Sequence, residues 1–212
     1  MRMKAAAAVI LLLALFALPL QQAHASRIAL FGTSEMQGNN LAFFPQFTDM
    51  LRRYASDLQY LGEPCQGRRD IPCLLKDWES FILSVQGLDP RTQIDRVNRY
   101  VNAVRYVEDP VNWGVEDYWA TPAEFFARSG DCEDYAITKY LTLRSLGFPI
   151  ESMRIVVLMD TNLGIGHAVL IVYMDDDVLV LDNQIEQVVS QASIHHYQPV
   201  YSLNEMGWWR HR

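Results

Sequence analysis

DCEDYAITKYLTLRSLGFPIESMRIVVLM, residues 131–159, contains the point at which the chain changes its period. The first half reads as a helix beginning at Asp131 or Cys132 and running to Leu146, where Gly147 and Pro149 stop it. The second half, from Met153 to Met159, is rich in Val, Ile and Leu and reads as a strand. The periodic segments upstream are helical in pattern. Phe47, Met50, Leu51, Tyr54, Leu58 and Leu61 keep a spacing of three to four across 44–61, and Leu75, Trp78, Ile82 and Val85 do so across 74–85. Asp89 and Pro90 open a third helix as cap and first-turn proline, with Ile94, Val97, Val101 and Val104 on its apolar face. Thr121 and Glu124 have the spacing of a capping box, and the short helix they start ends near Ser129 and Gly130. Between these two helices, 108–119 reads as a loop rich in acids and aromatics.

Downstream of Met159 the pattern stays strand-like, with 168–174 and 178–181 separated by acids and 200–203 as an expected edge strand. Residues 26–40 read as a loosely packed lead-in. Helices first and antiparallel strands second is an α+β arrangement.

Cys132 falls at a helix start just after a Ser-Gly break. There the helix dipole and unpaired amides favour a thiolate, and one of those amides can hold an oxyanion. The bland alternative is a cysteine buried as a small hydrophobe, which the acidic neighbours Asp131, Glu133 and Asp134 make a poor fit. His167 opens the second strand and Asp182 ends the third. A hairpin turning around Met174 and Asp175 would set them opposite one another, where Cβ atoms stand about 4.5–5.5 Å apart. Asp182 could then orient one ring nitrogen and leave the other to serve the thiol.

Three carboxylates beside a nucleophilic thiol oppose its ionisation. They also stabilise a helix start, which is the structural reading of the same residues. A bound calcium ion resolves the conflict, since calcium takes about six to eight oxygen ligands. Asp131 and Glu133 are the expected ligands, with Asp134, Asp117, Glu116 or loop carbonyls near Trp113 completing the shell. Zinc fits less well because Cys132 and His167 are needed elsewhere, and the adjacent His195 and His196 read as surface residues.

The chain carries a formal charge of −7. Met1 to Ala25 has the form of a signal peptide: Arg2 and Lys4, an apolar run over 5–20, then Ala23-His24-Ala25. The run is short for a membrane span of about 20 residues, although a retained anchor is the alternative. Cleavage after Ala25 leaves a single domain over 26–212 with 16 basic and 25 acidic residues, a formal charge of −9. That balance argues against nucleic acid or anionic lipid as partner. Export places three cysteines in an oxidising compartment. Cys65 and Cys73 flank a polar loop and are expected to pair, two free thiols being the alternative; either way Cys132 is left over.

The segments 113–126 (WGVEDYWATPAEFF), 130–136 (GDCEDYA), 166–170 (GHAVL) and 181–183 (LDN) closely resemble the bacterial transglutaminase-like cysteine peptidases, in particular their LapG-type periplasmic members. The resemblance covers about 78–201. It implies a papain-like, transglutaminase-like α+β core with Cys132 as nucleophile, His167 as base, Asp182 as its orienter, and Asp131 and Glu133 as calcium ligands. It further implies cleavage of a large surface adhesin near its N-terminus at a di-alanine site, which controls biofilm dispersal. An inner-membrane cyclic di-GMP receptor that sequesters the protease is implied as well. Two other functions remain open on the residues alone: a transglutaminase-like acyl transferase, and a catalytically idle periplasmic binding module.

Overall fold

The computed structural model describes residues 28–67 and 70–212; the expected signal peptide and its cleavage after Ala25 lie outside them. A short strand β1 (Glu35–Gly38) precedes the helices α1 (Pro45–Asp57), α2 (Ile71–Val85), α3 (Pro90–Asn102), α4 (Asp109–Asn112), α5 (Pro122–Arg128) and α6 (Cys132–Ser145). The strands β2 (Met153–Asp160), β3 (Ile165–Met174), β4 (Asp177–Leu181), β5 (Val189–Ser190), β6 (Tyr197–Asn204) and β7 (Gly207–His211) follow. All pair antiparallel in one sheet of order β1-β7-β6-β2-β3-β4-β5, so the fold is the α+β arrangement the sequence implies.

Local chemistry starts the helices where the sequence places them. Asp89 accepts the Thr92 amide at 3.0 Å ahead of Pro90. Both legs of the Thr121–Glu124 capping box form, at 3.3 and 2.8 Å. α6 lies at the centre, against β3 and β2 on one side and α3 and α5 on the other. Its residues Asp134 to Leu143 are therefore all buried, whichever way they face. Cys65 and Cys73 are joined in a disulfide, leaving Cys132 free.

The sheet is covered on both faces, which is why its inner strands read as unbroken apolar runs. Leu170 and Val172 of β3 and Leu179 and Leu181 of β4 face the helices. Val169 and Ile171, with Val178 and Val180, face a second core closed by Leu30, Ile194 and Tyr197.

Two expectations fail here. The lead-in is not loose: Leu30 is fully buried, and β1 pairs with β7 along the sheet edge. The segment expected as an edge strand is part of β6, which sits between β7 and β2. Pro199 lies within this inner strand, although proline is ordinarily excluded from regular inner strands. A bulge between Val157 and Leu158 in the β2–β6 register accommodates it.

β1 is held by an ion pair that no local pattern could announce. Arg154 of β2 is buried, donates to Glu35 at 2.9 Å, and lies 3.7 Å over the Trp209 ring and 5.4 Å over that of Tyr173. Arg154→Met keeps the stem but loses charge, hydrogen bond and ring contact. It is expected to lower stability by about 2–4 kcal/mol in urea unfolding. An unchanged midpoint would show that the ion pair does not anchor β1.

Candidate active site

The site begins at the break between α5 and α6. Ser129 has φ 75°, which ends α5 and turns the chain. At Gly130 any Cβ would come 2.1 Å from Asp134 Oδ2. Asp131 then occupies the cap position of α6 without capping it: its side chain bonds no amide of the helix and instead accepts the Asp109 amide at 3.2 Å. The α6 amides at Cys132 are thus left without a side-chain cap, which suits an anion at that point.

Cys132 and His167 line one cleft of about 470 Å³, together with Tyr106, Trp119 and Tyr201. Trp119 of the aromatic-rich loop reaches the cleft, whereas Trp113 and Tyr118 pack on the core and on each other at 4.2 Å. His167 Nε2 meets Asp182 Oδ1 at 2.9 Å, and both groups are buried. The route to this pair differs from direct opposition. Leu170 faces Leu181, so continuing the register sets position 184 opposite His167 and Asp182 one diagonal step away on the same face. Gln184 duly appears beside His167 Nδ1, at 3.4 Å, and its own amide donates to Asp182 Oδ1 at 2.8 Å.

Asp182 is tied down further. Its Oδ2 accepts the Tyr197 hydroxyl at 2.6 Å and its carbonyl accepts Asn102 Nδ2 at 2.7 Å. Burial alone would raise the Asp182 pKa, but the hydrogen bond and charge of His167, with the bonds from Tyr197 and Gln184, hold it below the usual carboxylate value. No hydrogen bond joins Cys132 to His167. The thiol donates instead to Glu133 Oε2 at 3.3 Å. Burial, Glu133 and Asp131 push its pKa up, and only the backbone amide of Ala168 pulls the other way. With its carboxylates uncompensated, the site disfavours the thiolate.

Those carboxylates form two overlapping groups, Asp109 with Asp131 and Asp134, and Asp109 with Asp117 and Glu133; within each, ligand oxygens lie within 4.8 Å of one another. Each acid of the first group spends one oxygen on a backbone amide. Asp109 takes Tyr118, Asp131 takes Asp109, and Asp134 takes Ala120. The second oxygen of each, Asp109 Oδ1, Asp131 Oδ1 and Asp134 Oδ2, is buried without a partner. Burial and mutual repulsion raise the pKa of Glu133 and Asp134 and push Asp109 up to about 6. Three orphaned oxygens converging from fixed backbone positions suit a hard, oxygen-seeking cation. Gly130→Ala would drive a methyl group into Asp134. We expect a loss of about 1–3 kcal/mol in thermal unfolding; wild-type stability would mean the crowding relaxes freely.

Glu116, an expected ligand, lines the cleft but joins neither group, whereas Asp131, Glu133, Asp134 and Asp117 all take part. His195 is exposed, as expected, and His196 is half-buried, 3.9 Å from Asp160. Sequence reasoning missed Asp109, Tyr197, Gln184 and Asn102. Asp109 carried a signal, since Asp109-Pro110 repeats the helix-opening pattern of Asp89-Pro90, but that pattern accounts for the acid as a first-turn residue. The others carried none.

Solved structures of Legionella pneumophila LapG are similar to this chain. The calcium-bound form is 30% identical, with a TM-score of 0.61 over 77% of this chain and 86% of that one. A second LapG structure gives 30% and 0.62 over 77% and 84%. The EGTA-treated form gives 29% and 0.62 over 78% and 85%. No curated protein matches the chain. The family described as bacterial transglutaminase-like cysteine proteinase BTLCP matches residues 68–211. With a free cysteine at a helix start, a buried His–Asp pair on its cleft and a LapG-like fold, the chain belongs to the bacterial transglutaminase-like cysteine proteinases.

Proposed function

We propose that this proteinase is a calcium-dependent endopeptidase acting through Cys132, His167 and Asp182. The observation that carries the reading is the buried His167–Asp182 pair opening onto the cleft that holds Cys132. His167 takes the proton from Cys132, and the thiolate attacks the scissile carbonyl while amides at the start of α6 hold the oxyanion. The imidazolium then protonates the leaving amine, and His167 acts as base again when water hydrolyses the thioester. Asp182 keeps the ring proton on Nε2, so that the Nδ1 lone pair, which the Gln184 side chain approaches at 3.4 Å, is the one that takes the proton from Cys132.

Asp131, Glu133, Asp134, Asp109 and Asp117 would hold the calcium ion. When bound, the ion supplies positive charge beside carboxylates that otherwise oppose the thiolate. Support comes from the three orphaned oxygens and from the likeness to a calcium-bound LapG structure.

The LapG likeness further supports a periplasmic protein made with a leader at 1–25 and a mature domain over 26–212. Its substrate is a large surface adhesin cut near its N-terminus at a di-alanine site, releasing cells from a biofilm. Its partner is an inner-membrane cyclic di-GMP receptor that sequesters it. The test is incubation of residues 26–212 with candidate adhesin N-terminal fragments, with calcium or with EGTA. Discrete fragments that appear only with calcium are expected. Cross-linked species in their place would assign acyl transfer instead, and cleavage unaffected by EGTA would remove calcium from the mechanism.

A further inference from the structure

The carboxylate of Asp182 is held from two sides, and only one side has been given a role. Oδ1 faces His167; Oδ2 accepts the Tyr197 hydroxyl at 2.6 Å inside the second core. Tyr197 begins β6 and is buried, with its ring edge-on to that of His167 at 5.8 Å. A carboxylate held at Oδ1 alone, by His167 and the Gln184 amide, could still pivot about that oxygen. With Oδ2 fixed by a tyrosine on another strand, Oδ1 has one direction left.

Tyr197 is itself braced by the segment at the start of the described chain. Leu30 is fully buried in the second core, and the Phe31 ring stands edge-on to Tyr197 at 6.0 Å. Phe31 has φ 47°, a left-handed conformation that is unfavourable for a non-glycine residue. What offsets the cost is the anchoring around it. The Phe31 amide donates to Gln191 Oε1 at 2.9 Å, and Gln191 Nε2 donates to the Ala29 carbonyl at 3.1 Å. Strain retained at one residue, with its ring seated on the tyrosine that holds Asp182, has a use if that tyrosine must not move.

We infer that Tyr197, braced by the Leu30–Gly32 turn, is a positioning residue that sets Asp182 against His167. The inference rests on the reading of Asp182 as the orienter of His167. It also gives the segment following the expected leader a function, since the turn closes the core behind the site from outside the segment that matches the family.

The test is steady-state cleavage of an adhesin peptide by wild type, Tyr197→Phe, Asp182→Ala, the double variant and Phe31→Ala, each with a melting temperature. Tyr197→Phe keeps the ring and its packing and removes only the hydroxyl. Its kcat is expected to fall about 10-fold with KM unmoved, and its melting temperature to drop by no more than a few degrees as Oδ2 loses its buried donor. It should add nothing further in the Asp182→Ala background, because the hydroxyl acts only through that carboxylate. Phe31→Ala should lower kcat several-fold, again without a change in KM. Wild-type kcat in Tyr197→Phe beside a crippled Asp182→Ala would overturn the inference and leave the triad standing. Full activity in Asp182→Ala would overturn the triad itself. Wild-type kcat in Phe31→Ala would remove the turn from the device.

Discussion

Cys132→Ala is expected to lower the rate of peptide cleavage by about 10⁴–10⁶-fold while leaving the protein folded. The magnitude follows from removing the nucleophile of a covalent mechanism, after which only oriented binding and the helix amides remain to assist water. Stability should hardly change. The sulfur is half-buried, its hydrogen bond runs to the neighbouring Glu133, and burial of that thiol among acids contributes nothing that alanine forfeits. An unfolding midpoint shifted by less than about 0.5 kcal/mol is therefore expected. Cleavage by Cys132→Ala within a factor of ten of wild type would assign the nucleophile elsewhere and undo the proposed mechanism. Loss of activity accompanied by loss of fold would make the result uninformative, so Cys132→Ser, which keeps a hydroxyl at the same place, is the companion variant.

Asp109→Asn should weaken calcium binding by at least about 10-fold in titration calorimetry and depress activity in parallel at limiting calcium. Asn retains an oxygen for the Tyr118 amide, so the loop keeps its bond while the site loses a charge and one of its orphaned oxygens. The same variant separates cation binding from folding. In the calcium-free protein, burial and the charges of Asp131 and Asp117 push the Asp109 carboxyl up to about 6, above an unfolded value near ~4. The folded state therefore binds more protons than the unfolded one between those values, and its stability falls as pH rises through that window. In EGTA, wild type should melt higher at pH 5 than at pH 7, and Asp109→Asn should lose part of that difference. Calcium should reverse it, because binding to the folded state alone raises stability at neutral pH. Below about pH 6, protons and calcium compete for the same oxygens and affinity should drop. Equal calcium affinity in wild type and Asp109→Asn would exclude Asp109 from the site.

The parts legible in the sequence share one property: they depend on neighbours. Asp89 with Thr92 and Thr121 with Glu124 act over three residues, so their helix starts could be read directly. The hairpin joining β3 to β4 turns within two residues of Met174, so the nearness of His167 to Asp182 is legible in the strand spacing. Even there the register was one step out. A strand pattern states which residues alternate but not which carboxylate continues past the ladder's end, and Gln184 took the opposing place.

Asp109, Tyr197 and Arg154 were illegible for the converse reason. Asp109 reaches its acidic partners at Asp131 and Asp134 across a loop and a helix. Tyr197 meets Asp182 from β6, a strand that enters the middle of the sheet fifteen residues further along the chain. Arg154 meets Glu35 from more than a hundred residues away. Such contacts leave no local period or spacing for a reader to find.

By itself, then, the sequence determined where helices begin, where the period switches to strands, and that a cysteine among acids starts a helix, because caps, turns and hairpins are settled by residues a few positions apart. Tertiary structure alone decided that the lead-in closes the sheet edge, that β6 runs through its middle, and which oxygens of which acids converge, because those arrangements follow from how separately formed faces bury one another.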